Sequence, residues 1–571
     1  MTPETMTTIP PTAIDNILDE PRPAARTAGF ARFWANIEGH LIALTERANP
    51  ILVKETRQAL KSRQFVVTFL IVLIACWIVS FVMVAQVGPQ IYYAASGPLL
   101  LIWYYGILCF PLTLIVPFSA FRSLAAEQEE NTYDLLSITT LSSRQIVTGK
   151  LASATVQMLV YLCAVSPCIA FTFLLRGVDA ITLAVMLSVA VLGCLGLSII
   201  ALLIGAMAKV RSTQVVISVA LVLVLAGAFA MAVGMGMAII EEGSAVYRDS
   251  DFWLAMFVVM TVYITTFGLI HAAASSQIAF VSENRSSPLR RWMMAQQACL
   301  IGWIGGAAYQ FVTTSSTGNS PHAAMMMVGG GFAAAYWYLM GAMMTGEWPH
   351  LSRRVQRSLP QSTMGRAFLS LFNPGPGAGY LFAVANLTTV VLLAIVVLAA
   401  TSKAATPWLS IETVVFFLIL AWSYVVAFLG FGRLLINALR RWVFVPMAAA
   451  FLLHVIIMLT AIGVPTIIQL TSRELRNSGY TLLQMSNPIW TLGELVDKGV
   501  GAVQGEILIL VVPAAALAAL MLNMRSVATE LLYHRVAPPI RVAEEEAELH
   551  PAPAPKPSNP WEAEEEEIGR G

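Results

Sequence analysis

The sequence predicts an all-α polytopic membrane protein with about twelve transmembrane helices and both termini on the cytoplasmic side. Three observations lead there: a deficit of charge, a series of long apolar runs, and a lopsided distribution of Lys and Arg. Of 571 residues, 57% are hydrophobic and 12% charged, where a soluble domain carries roughly 25% charged residues. Mean hydropathy is +0.72. A net charge of +1 makes no case for nucleic acid as a partner.

A helix needs roughly 20 apolar residues to cross a hydrocarbon core about 30 Å thick. Runs of that kind occur at 65–87, 97–118, 151–175, 180–207, 213–240, 253–281, 293–313, 323–345, 378–400, 412–432, 442–470 and 501–523. They are continuous, unlike the alternating segments of about ten residues that build a barrel. Gly234 and Gly236 in one long run, and Gly463 and Pro465 in another, mark places where a helix tilts or breaks. With the N-terminus inside and the runs alternating, 28 of the 34 Lys and Arg fall on cytoplasmic segments. Only Arg176, Arg248, Lys403, Arg473, Arg476 and Lys498 fall outside. That is the positive-inside asymmetry of a plasma-membrane protein.

In chain order, residues 1–48 form a cytoplasmic segment whose first 28 residues, rich in Thr and Pro, read as disordered. No apolar run precedes Phe65, so no cleavable signal peptide is expected. Asn49–Arg63 interleaves Ile51, Leu52, Ala59 and Leu60 with Lys54, Arg57, Lys61 and Arg63. Such a basic amphipathic helix beside a first span lies in the membrane interface. The segment 121–150 opens on Glu127, Glu129, Glu130 and Asp134. An apolar cluster follows at Leu135, Leu136, Ile138 and Leu141, and Ser142 and Ser143 precede Arg144 as a helix N-cap. Leucines beside carboxylates on a cytoplasmic segment point to a surface covered by another protein. Residues 525–571 form an acidic, Pro-rich cytoplasmic tail. The six cysteines lie in or beside apolar runs and read as small packed hydrophobes, with no metal or disulfide framework.

Two of these segments carry a resemblance. Segment 121–150 is similar to the connection between the second and third helices of ABC-2 type transporter permeases. The family pattern runs E-x-E-x-G-T-L-E-L-L-x-x-T-P-L-S-x-x-x-I-x-x-G-K. Glu127, Glu129, Thr132, Asp134, Leu135, Leu136, Thr139, Leu141, Ser142, Ile146, Gly149 and Lys150 match it by identity or charge. Asn49, Pro50, Glu55 and Arg57 resemble the elbow helix of the same family. The likeness covers about residues 49–281. Asn131 replaces the usual Gly and Thr140 the usual Pro.

The resemblance implies a permease unit over 49–281, an elbow helix followed by six spans. It implies that Glu127, Glu129, Asp134, Leu135, Leu136 and Leu141, with Thr132 and Arg144 alongside, dock onto a separate ATPase subunit. ATP-Mg would then be bound by that partner and no cofactor by this chain. No GxxxxGK[ST] phosphate loop is present, and Gly149–Lys150 lacks the earlier glycine. The chain is therefore expected not to be an enzyme, but the permease of an exporter in the inner membrane. Residues 282–524 form a second six-helix unit. Either it makes the chain a pseudo-dimer, or it is accessory and two chains form a homodimer; the second reading is preferred. The basic segment 346–377 lies where a second docking loop would be.

Ionisable groups inside spans are few. His271 and His454 are the candidates for a transport path, whereas Glu412, Glu506 and Arg433 near span ends are expected to snorkel. The rival readings are an ion-gradient-driven secondary transporter and a non-transporting scaffold. The first calls for buried charges and matched broken helices. An intramembrane enzyme would need a catalytic set, and neither HExxH nor GxSxG occurs.

Overall fold

The computed structural model describes residues 49–88, 95–129, 141–175, 177–208, 210–243, 245–280, 282–314, 322–348, 350–400, 410–501, 503–532, 536 and 539–549. Every regular element among them is helical. Eleven helices among the described residues are long and apolar enough to cross a membrane, which makes this a polytopic helical membrane protein. The twelfth span expected at 293–313 is a helix, Ser287–Thr314, of 28 residues. It has the length to cross but falls outside the eleven, because Gln296, Gln297 and Gln310 interrupt its apolar face and Arg290 and Arg291 occupy its first turns. The chain divides into two compact units, Met1–Val246 and Tyr247–Gly571.

In the first unit, α1 is Pro50–Leu60, α2 Arg63–Val87, α3 Gly97–Glu129, α4 Ser143–Leu174, α5 Ala180–Met207 and α6 Arg211–Glu242. Asn49 caps α1 by accepting from the Ile51 N–H at 3.1 Å, and Pro50 occupies a first-turn position where no N–H is needed. Helix α3 is longer than the apolar run. A π-helical turn at Pro111–Ile115 absorbs the proline, and the helix continues through Val116–Glu129. Glu127 and Glu129 thus stand on the end of a helix, and α4 begins already at Ser143. The connection read from sequence as 121–150 shortens accordingly. Ser142 caps α4 in a reciprocal box with Gln145. The run over 213–240 is one unbroken helix despite Gly234 and Gly236.

The core of this unit is a dry seam of Leu108, Leu112, Val116, Leu124, Tyr161 and Leu202, each under 1% exposed. Helix α2 leans on it through two hydroxyl pairs, Thr68 with Tyr161 and Ser80 with Tyr104, both at 2.6 Å. Its other faces, such as Trp77 and Phe81, remain exposed, as suits a helix against lipid.

In the second unit, α7 is Ser250–Ile278, α8 Ser287–Thr314, α9 His322–Met344, α10 Arg353–Arg357, α11 Thr363–Ser370 and α12 Pro376–Ala400. Then follow α13 Ile411–Leu439, α14 Met447–Thr471, α15 Pro488–Lys498, α16 Gly505–Leu531 and α17 Ile540–Leu549. The sequence reading put α7 with the first unit. It groups instead with α8: Trp292 lies against Gly268, and Trp303 Nε1 donates to Thr261 Oγ1 at 3.0 Å. Helices α9, α12, α13 and α16 form the centre, with Trp337 stacked edge-on against Phe382 at 5.6 Å. Pro465 sits inside α14 without ending it.

Candidate functional site

The residues singled out around 49–63 and 121–150 meet at one corner of the first unit, and Lys150 is at its centre. Its side chain is fully buried, and Nζ lies 3.0 Å from Glu55 on α1 and 3.0 Å from Glu127 on α3. It also donates to the Ser123 carbonyl at 3.1 Å. Lys54 stands 4.0 Å from the same Glu127 oxygen, at the solvent edge. A lysine on α4 thereby joins three helices through two carboxylates that are only 11–12% exposed. In such a setting a charge survives because its partners supply both the opposite charge and the hydrogen bonds.

Shape reinforces charge at this corner. A Cβ on Gly149 would meet Asn49 Nδ2 at 2.9 Å and Ile51 Cβ at 3.0 Å. Gly149 therefore lets α1 lie directly on α4. Asn49 Nδ2 donates to the Gln145 carbonyl, so the residue that caps α1 also pins it to the first turn of α4. On the far side, Glu129 pairs with Arg211 at 3.1 Å, well exposed, where an ion pair contributes roughly 0–1 kcal/mol.

The structure thus brings together Asn49, Pro50, Glu55, Glu127 and Lys150. It turns Glu127 inward, and leaves Arg57 and Arg144 exposed and Leu141 half-buried. Thr132, Asp134, Leu135 and Leu136 lie outside the described residues. Lys150 entered the sequence reading only as a motif match. Its role was legible in the pairing of a lysine about two turns into a helix with acids on two preceding helices.

The two intramembrane histidines both belong to the second unit. His454 is fully buried on α14, with Nδ1 3.0 Å from the Ala450 carbonyl and its ring against Gly432. His271 is half-buried on α7, and its carbonyl accepts from Ser275. Glu412 and Glu506 are exposed in the first turns of α13 and α16, where a carboxylate complements the helix dipole.

Arg433 departs from the expectation that it snorkels. It is 0% exposed and reaches Glu530 at 2.9 Å, Asn523 at 2.8 Å and Ser526 at 2.8 Å. The other Glu530 oxygen accepts the Gly377 N–H at 2.6 Å and the Ala378 N–H at 3.2 Å. A carboxylate at the N-terminus of α12 satisfies orphan amides and the helix dipole together. Nearby, Arg290 pairs with Glu347 at 2.6 Å, and Glu347 accepts the Gly375 N–H at 2.7 Å and the Ser286 hydroxyl at 2.7 Å. The turn Asn373–Gly377 is thus strapped between two buried Arg–Glu pairs. Its glycines are required by contact, since a Cβ on Gly377 would meet Arg433 at 2.6 Å. The signal missed in the sequence was the set of acids, Glu347 and Glu530, lying just beyond apolar runs that carry or face an arginine.

Among the described residues no group of three or more His, Cys, Asp and Glu is placed to hold a metal. The six cysteines are free thiols, with Cys76, Cys109 and Cys194 buried. No family model, no curated protein and no solved structure matches the chain.

Proposed function

We propose that this chain is the transmembrane permease subunit of an ATP-driven exporter of the ABC-2 kind, powered by an ATPase on a separate chain. The observation that carries the reading is the Lys150 junction with Glu55 and Glu127. It ties the interfacial helix α1, the inner end of α3 and the start of α4 into one piece, and the acidic, leucine-bearing connection springs from that piece. A force applied to the connection would move all three helices together, which is what a membrane subunit driven from the cytoplasm requires. Glu127 is spent inside the junction, so the docking surface falls to Glu129, Leu141 and Arg144, with Thr132, Asp134, Leu135 and Leu136 assigned from sequence. In this reading both termini are cytoplasmic, and α8 is the twelfth span. The glutamines of α8 can be carried through lipid because neighbours pair them: Tyr336 donates to Gln296 at 2.6 Å and Trp337 to Gln297 at 2.7 Å.

The test is purification of the tagged chain from its own membranes after mild crosslinking, with mass spectrometry of what comes with it. A Walker-motif ATPase should accompany the native chain. It should be lost from a variant with Leu135, Leu136 and Leu141 changed to Asp that still elutes as a folded species. If no ATPase is captured in either case, the ATP-driven reading fails and transport coupled to ion gradients becomes the reading to test.

A further inference from the structure

Helices α7, α8 and α9 of the second unit enclose a cavity of about 330 Å³. It lies within the roughly 300–1,000 Å³ range of small-molecule sites. Trp303, Phe332, Tyr336 and Trp337 supply aromatic walls, Val258, Val262 and Leu300 aliphatic ones, and no charged side chain lines it. The mouth is at the lipid-facing surface, where Val262 and Phe332 are 53% and 69% exposed.

Its polar groups are few, and all but one are paired. Gln296 accepts from Tyr336 and donates to Thr266 at 3.1 Å, and the Thr265 hydroxyl donates to the Thr261 carbonyl at 2.9 Å. Gln297 is 92% buried, since only 8% of it is exposed, and its Oε1 accepts from the Trp337 indole at 2.7 Å. Its Nε2 donates to nothing among the described residues. The residue is buried, but this atom keeps some accessible surface and is not one of the sealed donors, so an acceptor placed in the cavity can reach it. Gln297 lies four residues into the apolar run 293–313, about 6 Å along the axis and so inside the edge of the hydrocarbon core.

We infer that this cavity binds a neutral, membrane-dissolved molecule with a flat apolar body and a carbonyl oxygen that accepts from Gln297 Nε2. The aromatic walls favour a planar ring system. The lack of any counter-charge excludes an ion, which would lose its hydration with nothing in return. Entry is sideways from the bilayer. The site requires neither ATP nor the docking connection; it rests on the reading of α8 as a membrane span.

Benzophenone is a suitable probe, being a neutral diaryl ketone that inserts into neighbouring C–H bonds on illumination. The full-length chain in nanodiscs of defined phospholipid would be photolysed over a concentration series and its adducts mapped by peptide mass spectrometry. Saturable labelling is expected in 258–265, 296–303 and 332–337. Diphenylmethane, similar in shape but without the carbonyl, should compete about tenfold less well than unlabelled ketone, the equivalent of one hydrogen bond. Gln297→Met should abolish that preference for the ketone. Cys299→Phe, which fills the cavity without touching the amide, should remove labelling there while both variants remain monodisperse. Linear, non-saturating labelling spread over lipid-facing side chains would overturn the inference, as would a ketone preference unchanged in Gln297→Met. Solvent extraction of chain purified from its own membranes then separates two sources. A co-purifying neutral carbonyl compound, absent from Cys299→Phe, identifies a native membrane constituent. Saturable labelling without one identifies a compound taken up from outside, and either result upholds the site.

Discussion

Replacing Lys150 with Met removes a cation while keeping most of its apolar stem, and the structure fixes what is left behind. Glu55 and Glu127 each lose a partner at 3.0 Å, the Ser123 carbonyl loses its donor, and two carboxylates now face one void. Breaking a buried pair by removing one member costs about 3–5 kcal/mol. Both carboxylates keep 11–12% exposure, so water or a proton relieves part of the repulsion, and the lower end, about 3 kcal/mol, is the working figure. At about 1.4 kcal/mol per decade this raises the opening equilibrium of the first unit by roughly two orders of magnitude. The chain carries its own reporters. Cys76, Cys109 and Cys194 are buried in that unit, and of the remaining three only Cys299 lies in the other. The rate at which a maleimide dye labels the buried thiols in detergent should rise about 100-fold in Lys150→Met, with Cys163 as an exposed internal control. Adding Glu55→Gln and Glu127→Gln should recover most of the loss, because a cluster neutralised as a whole leaves no stranded charge. A single-variant rate within about threefold of the native chain would show a junction no stronger than a surface ion pair, and the rigid-lever argument would go with it.

Three further outcomes follow from the same contacts. Gly149→Val puts branched carbons where Asn49 and Ile51 already stand at 2.9–3.0 Å; overpacking of this kind costs about 1–3 kcal/mol, and limited proteolysis after Lys54 or Arg57 should speed up as α1 lifts. Glu530→Ala strands the buried Arg433 and the Gly377 and Ala378 amides, for about 3–5 kcal/mol; its melting temperature should fall well below that of Glu530→Gln, which keeps the amide acceptor. At the start of α5, burial pushes the Asp179 carboxyl up, but the Thr182 hydroxyl and the backbone N–H groups of Thr182, Asp179 and Ile181 outweigh it and hold the group below the usual carboxylate range. A depressed folded value means stability that is complete above the unfolded value of about 3.9 and lost as pH falls through the folded one. Asp179→Ala should therefore cost about 1 kcal/mol at neutral pH, and the gap to the native chain should close in acid unfolding scans.

The parts that were legible in the sequence are those set by local chemistry. Hydropathy located eleven of the twelve helices as candidate spans, because crossing lipid is a property of one segment at a time. Ser142 was readable as a cap for the same reason, since an N-cap needs only its own next turn. What resisted was everything that depends on a partner distant in the chain. Helix α8 carries a long apolar run but falls short by composition, because Gln296 and Gln297 are tolerable in lipid only with Tyr336 and Trp337 opposite. Arg433 was assigned to the headgroups because an arginine at a span end can reach them. The presence of Glu530, 97 residues later, makes the inward arrangement the cheaper one.

Buried charge serves two different ends in this chain. At Lys150 the charges join helices whose connection is acidic and polar in sequence, so, on the side proposed above to be cytoplasmic, the junction can pass on motion applied from outside the membrane. At Arg433 and Arg290 they strap the Asn373–Gly377 turn through backbone amides, which cannot be displaced without exposing two carboxylates and two guanidinium groups at once. If the second unit were a working copy of the first, the basic segment 346–377 would have to move as the acidic segment is proposed to. Its anchorage at both Glu347 and Glu530 argues for a fixed element, and so for an accessory second unit with the homodimer as the transporting species. Mass measurement of the crosslinked complex decides it: two permease chains per two ATPases are expected, and one permease chain per two would refute the argument from anchorage.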